Sequence, residues 1–215
     1  IIPDLPGSGR SQMKSGAWSI EGLAETVRSV FTHEDLKSAV VIGHSMGGYV
    51  SLALAEKYPD LLDGFGLFHS SAFADNEEKI TARKRGIEFI EEHGTAKFLE
   101  QATPKLFSAV FKERNPQIIQ EIVARFTNFE DSALVHYYEA MMQRPDRTQV
   151  LKKFCNPILF ILGEHDTALP LSDGLKQCHM PRLSYIHILS HSGHMGMIEE
   201  TDKCGEIILN FLQDI

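Results

Sequence analysis

Residues 39–48 read Ala-Val-Val-Ile-Gly-His-Ser-Met-Gly-Gly. The run Ala39 to Ile42 is short, apolar and rich in β-branched residues, the pattern of a parallel strand buried on both faces. Gly43-His44-Ser45-Met46-Gly47 follows as a G-x-S-x-G turn, and Val50 to Tyr58 is helical until Pro59 stops it. A strand, a sharp turn and a helix put Ser45 at the apex, at the carboxyl edge of a sheet. The helix N-terminus then faces the same spot. Such a turn needs small neighbours, and Gly43, Gly47 and Gly48 supply them. Ser45 is therefore the candidate nucleophile. The Met46 N–H is the candidate donor to a developing oxyanion. The rival reading of the five residues is a chance glycine-serine turn.

The segments around this one repeat the alternation. Ser19 is placed to cap a helix carrying Ile20, Leu23, Ala24, Val27 and Phe31 at helical spacing. Phe65 to Phe68, Pro157 to Leu162 and Tyr185 to Leu189 have the buried-strand pattern. The last helix holds Cys204, Ile207, Ile208, Phe211 and Leu212. Strands alternating with helices predict an α/β fold with a mostly parallel sheet. Residues 75–153 differ, with helical patterns and no convincing strand. Ile87 and Ile90 lie on one helix, Asn115-Pro116 opens a second, and Asp131 is placed to cap a third that ends at Arg144-Pro145. The expected division is a core of residues 1–74 and 154–215 with a helical insertion, 75–153, at the sheet's carboxyl edge.

A serine hydroxyl is a poor nucleophile without a base. Loops after parallel strands are where such sheets put their sites. That favours His194, in Ser192-Gly193-His194-Met195, over His191. The imidazole needs an orienting acid. Asp166, in Gly163-Glu164-His165-Asp166 after the strand ending at Leu162, is the first choice, with Glu164 and then Asp75 behind it. The order Ser45, Asp166, His194 is one that such triads adopt. His44, His69, Met141 and Met142 are candidate pocket residues, with Tyr137 and Tyr138 beside the methionines. Ordinary packing is the competing reading for each. Arg83, Lys84 and Arg85 read as a solvated helix face, and Trp18 as packing near the first helix.

Composition narrows the classes. The 215 residues suffice for one domain with a real core, 43% hydrophobic and 23% charged. The net charge of -8, with no basic run, argues against a nucleic-acid partner. No apolar run reaches the ~20 residues of a membrane helix. Three widely spaced cysteines, Cys155, Cys178 and Cys204, read as free thiols rather than a disulfide framework or zinc site, which fits a reducing, cytoplasmic compartment. No metal or cofactor is expected.

Four stretches together resemble the α/β-hydrolase superfamily, in its capped serine esterase and lipase-like branch. Asp4-Leu5-Pro6-Gly7-Ser8-Gly9-Arg10-Ser11 is similar to the turn after that family's fourth strand. Residues 43–47 resemble the nucleophile elbow, residues 163–166 the acid turn and Gly193-His194 the base loop. The resemblance implies an acyl-enzyme mechanism on a small ester-like substrate, with residues 75–153 as the cap. Carbon–carbon hydrolases and lactonases share the triad, and an idle small-ligand binder on the same fold is the rival of another class. Ile1-Ile2 reads as the end of a strand, and the resemblance implies three strands ahead of it, the third lying between Ile1-Ile2 and Ala39–Ile42. The sheet is thus expected to be incomplete at its N-terminal side. A further N-terminal segment is expected to fill the slot and bring the second oxyanion donor, and residues 1–215 alone are expected to be unstable. Oligomeric state is left open.

Overall fold

The structure, a computed structural model, describes residues 1–12 and 18–215. Helix α1 (Ile20–His33) is followed by β1 (Ala39–His44), α2 (Met46–Lys57) and β2 (Leu62–Phe68). Helices α3 (Glu77–Ala102), α4 (Ala109–Arg114), α5 (Pro116–Phe126), α6 (Asp131–Gln143) and α7 (Thr148–Lys153) come next, with a 3-10 turn at Thr103–Leu106. The chain returns to β3 (Ile158–Gly163), α8 (Leu171–Cys178), β4 (Ser184–Leu189), α9 (Gly196–Glu199) and α10 (Thr201–Asp214). The strands form one parallel sheet in the order β1-β2-β3-β4. Helices flank this parallel sheet on both faces.

Alternation along β3 shows why the sheet is covered on both sides. Ile158, Phe160 and Leu162 pack with Leu23, Leu52 and Leu54 of α1 and α2. Leu159 and Ile161 pack with Cys204, Ile207 and Phe211 of α10. Successive side chains point to opposite faces, so a continuous apolar run serves two layers. Truncating a fully buried Phe211 would cost about 3–5 kcal/mol. Ser19 caps α1 by accepting the Gly22 N–H at 3.0 Å. The cysteines are free, with Cys155 exposed and burial pushing the Cys178 and Cys204 thiols up to about 11.

Three expectations change. Ile1-Ile2 forms no strand and is exposed, at 82% and 98%. β1 is an edge strand, and all its residues but Gly43 are only half-buried. A groove of about 450 Å³ lies beside it, lined by Ile1, Ile2, Pro3, Phe31 and Ala39 to His44. Asp131 is not a cap. It lies in the first turn of α6, and its Oδ1 accepts the Thr95 N–H at 2.7 Å where Gly94 interrupts α3. Trp18 stacks on His136 of α6, ring centroids 4.4 Å apart, so it ties α6 to the approach of α1. Among the described residues, no helix is long and apolar enough to cross a membrane.

Candidate active site

Each strand delivers one polar residue just beyond its carboxyl end: Ser45 follows β1, His69 follows β2, Asp166 lies three residues after β3, and His194 five after β4. Backbone hydrogen bonds continue past the strand ends and fix these positions. The Ser45 N–H donates to Phe68 O at 2.9 Å, His69 N–H to Ile161 O at 2.8 Å, and His165 N–H to Ser192 O at 3.0 Å. Ser45 (φ 50°) and His69 (φ 49°) both hold left-handed backbone, a strain of order 1–3 kcal/mol each. The Ser70 hydroxyl braces the elbow by donating to Ser45 O at 2.7 Å.

The elbow's glycines are not equivalent. A Cβ on Gly43 would meet Gly47 O at 2.1 Å, and one on Gly48 would meet the Ser70 Oγ at 2.3 Å. A Cβ on Gly47 would meet nothing within 4 Å, so close approach explains Gly43 and Gly48 but not Gly47.

Asp166 and His194, both 5% exposed, meet at 2.7 Å through Oδ2 and Nδ1. The other oxygen of Asp166 accepts the Ala168 and Leu169 N–H groups, each at 2.8 Å. Burial opposes ionisation of Asp166, but the bond from His194 and the nearness of His69 outweigh it, and the carboxyl sits far below the usual range. Glu164 and His191 are exposed. Asp75 pairs instead with Arg83 and Arg144, so neither alternative acid and no alternative base occupies this position.

His69 lines the same cavity as Ser45. Its Nε2 accepts the Gly196 N–H at 3.2 Å, which puts the proton of the neutral ring on Nδ1. That Nδ1 lies 3.3 Å from Asp166 Oδ2, off the line of a hydrogen bond. Burial lowers its pKa against the pull of Asp166. His44 Nε2 donates to the carbonyl of His194 at 2.8 Å, and burial, followed by repulsion from His194, lowers its pKa to about 3. Both rings are therefore neutral near pH 7.

His69, Asp166 and His194 are also the group that could offer a metal one ligand atom each, all within 4.8 Å. An ion there would have to break the 2.7 Å bond between His194 and Asp166.

Ser45, His44, His69 and His194 line one cavity of about 270 Å³ with Tyr49, Leu106, Tyr138 and Met141. Met142 is not among its walls. The neighbouring position on α6 turns about 100° away from Met141. Arg83 is, contrary to the solvated-face reading, part of the wall, as is Lys79. Met46 heads α2, where backbone N–H groups have no intrahelical acceptor. No hydrogen bond joins the Ser45 hydroxyl to His194 among the described residues. Such contacts are often loose until substrate is bound.

Two carboxylates missed in the sequence hold the loop that carries His194. Glu199 accepts from the N–H groups of Gly193 (2.8 Å), Met195 (3.2 Å) and Ser108 (2.8 Å). Glu200 accepts the His191 N–H at 3.0 Å and the Ser192 hydroxyl at 2.6 Å. The run Glu199-Glu200 just after the loop was the available signal.

The sequence profile of the Ndr family matches residues 6–215. This chain belongs to the Ndr family. The family lies within the α/β-hydrolase superfamily, and the other similarities agree. The uncharacterized hydrolase YugF of Bacillus subtilis is 26% identical over 220 residues, covering 99% of this Ndr-family chain and 80% of that protein. A thermophilic esterase from Thermogutta terrifontis, solved with malate bound, superposes with a TM-score of 0.92 at 27% identity, over 99% of this chain and 78% of that one. The enol-lactonase of Burkholderia xenovorans LB400 shares the fold, with a TM-score of 0.88 at 24% identity over 98% and 79% of the two chains. The comparisons place this Ndr-family chain among hydrolases of the α/β-hydrolase type.

Proposed function

We propose that this chain is a serine hydrolase that cleaves a carboxylic ester-like bond through an acyl-enzyme. The observation that carries this reading is the 2.7 Å contact between the buried Asp166 and Nδ1 of His194, which lines the same cavity as Ser45. With Nδ1 committed to a carboxylate, Nε2 is the nitrogen left to accept a proton. Ser45 Oγ attacks the carbonyl carbon and His194 takes the hydroxyl proton. Asp166 stabilises the imidazolium, and the Met46 N–H donates to the oxyanion. His194 returns the proton to the leaving oxygen as the C–O bond breaks. Water then repeats the sequence on the acyl-enzyme, again through His194.

Residues 75–153 serve in this proposal as the cap that selects substrate and excludes water, because Leu106, Tyr138 and Met141 line the cavity together with Ser45. The second oxyanion donor is proposed to arrive on a strand pairing with the free edge of β1, beside the apolar groove. Lactones and vinylogous diketones use the same triad. A panel of p-nitrophenyl esters, lactones and such diketones tests the reading. Preference for the esters, abolished by Ser45→Ala, is expected. Turnover of the diketones alone would replace ester cleavage with carbon–carbon hydrolysis. No turnover of any member would contradict the enzyme reading.

A further inference from the structure

We propose that the substrate carries a carboxylate, held away from the scissile bond by Lys79 and Arg83; this rests on the ester-hydrolase reading. The whole chain is acidic, at -8, yet the charged side chains lining the Ser45 cavity are these two cations. The other titratable walls are the neutral His44 and His69, the base His194 and two tyrosines.

The two cations are held differently. Arg83 Nε donates to Asp75 Oδ2 at 2.6 Å, and Arg144 holds the other oxygen of Asp75 at 2.9 Å. One carboxylate against two guanidiniums leaves a positive charge in excess. Burial opposes ionisation of Asp75, but the hydrogen bonds from Arg144 and Arg83 prevail and keep it charged. Arg83, with its side chain 19% exposed and set over the Tyr138 ring, is thereby fixed against the cavity wall. Among the described residues, Asp75 is the carboxylate that Arg83 pairs with.

Lys79 adds a second positive charge to the cavity wall. Its backbone is fixed, since its N–H donates to the Asn76 side chain at 2.9 Å at the start of α3. Its ammonium has no hydrogen-bond or ion-pair partner among the described residues. It lines both the Ser45 cavity and the adjoining one, where Asp173 is already paired with Lys176 at 2.7 Å. An unpaired ammonium beside a pre-oriented guanidinium, half shielded from solvent, is a setting in which a ligand carboxylate gains charge-assisted hydrogen bonds. A neutral ester would leave both cations unused.

The test separates anion binding from catalysis. Calorimetric titration of glutarate and of neutral glutaramide into the Ser45→Ala protein reads binding alone. Glutarate is expected to bind at least tenfold tighter than glutaramide, with that preference lost in Lys79→Met and weakened by added salt. In the wild-type enzyme, kcat/KM for mono-p-nitrophenyl glutarate over p-nitrophenyl pentanoate is expected to favour the charged ester about tenfold, ~1.4 kcal/mol. Lys79→Met should abolish that ratio, and Lys84→Met, on the exposed side of α3, should keep it. Equal binding of glutarate and glutaramide, or a ratio indifferent to Lys79, would overturn the carboxylate proposal and leave ester hydrolysis standing. Lys79-dependent glutarate binding without turnover of either ester would uphold the anion site and overturn the hydrolase reading.

Discussion

The backbone N–H of His194 donates to the carbonyl of Leu106 at 2.7 Å, so the loop carrying the imidazole hangs from the turn at Thr103–Leu106 as well as from β4. Glu199 completes the attachment by holding Gly193 and Met195 on one side and Ser108 on the other. Glu199→Ala leaves these N–H groups without their acceptor. The expected cost is about 1–3 kcal/mol in urea unfolding. It should come with a fall in kcat larger than any rise in KM, because the base loses its fixed position. Unchanged stability and kcat would show that the loop holds its shape without the clamp.

Asp166→Asn preserves the size of the side chain but removes the charge that orients His194 and stabilises its cation. Ester kcat is expected to fall on the order of 10³–10⁴-fold with KM little changed, the scale seen when the acid of such a triad is neutralised. Steady-state kinetics on one p-nitrophenyl ester is sufficient. A loss below tenfold would mean that a group other than Asp166 orients His194.

His44 makes stability depend on pH with a definite sign. Its pKa is about 3 in the fold, against 6.5 for a free imidazole. Between those values the unfolded chain binds a proton that the folded chain refuses. The stability held in this group is therefore complete above about pH 6.5 and lost as pH falls toward 3. Urea midpoints should drop between pH 6.5 and 4.5, before most carboxylates titrate. His44→Gln, which can still donate to His194 O, should flatten that drop. An identical slope in the variant would show that His44 is not held neutral.

What the sequence revealed was local. A strand, a tight turn and a helix are written within ten residues, so the setting of Ser45 was legible, as were the loops carrying Asp166 and His194. The pairings that cross the fold were not. Nothing near Arg83 announces that it will share Asp75 with Arg144 beside the cavity, because Arg144 is 61 positions away and reaches Asp75 only after α6 folds back on α3. Periodicity placed Met141 and Met142 on one helix but could not tell which of the two neighbours faces inward. The β1 edge was read as buried on both faces from its composition, which reports what a strand can tolerate rather than what lies beside it. Trp18 finds His136 through a contact that no local pattern encodes.

The contrast between Gly47 and Gly48 tests the elbow's packing. Gly48→Ala forces a Cβ to 2.3 Å from Ser70 Oγ, the hydroxyl that braces Ser45, and is expected to destabilise by about 1–3 kcal/mol and reduce turnover. Gly47→Ala enters open space in the first turn of α2. Its stability should be unchanged or raised by up to about 1 kcal/mol. Thermal unfolding of both variants decides the matter, and equal destabilisation would contradict the close-approach explanation.

The central claim is that Ser45 is a nucleophile activated by His194. The most direct measurement is covalent labelling with a fluorophosphonate, read by intact mass and by mapping the modified peptide. One adduct per chain, located on Ser45, lost in Ser45→Ala and slowed on the order of 10³-fold or more in His194→Ala, is the predicted result. A chain that takes no label, or takes it at a residue other than Ser45, would contradict the claim.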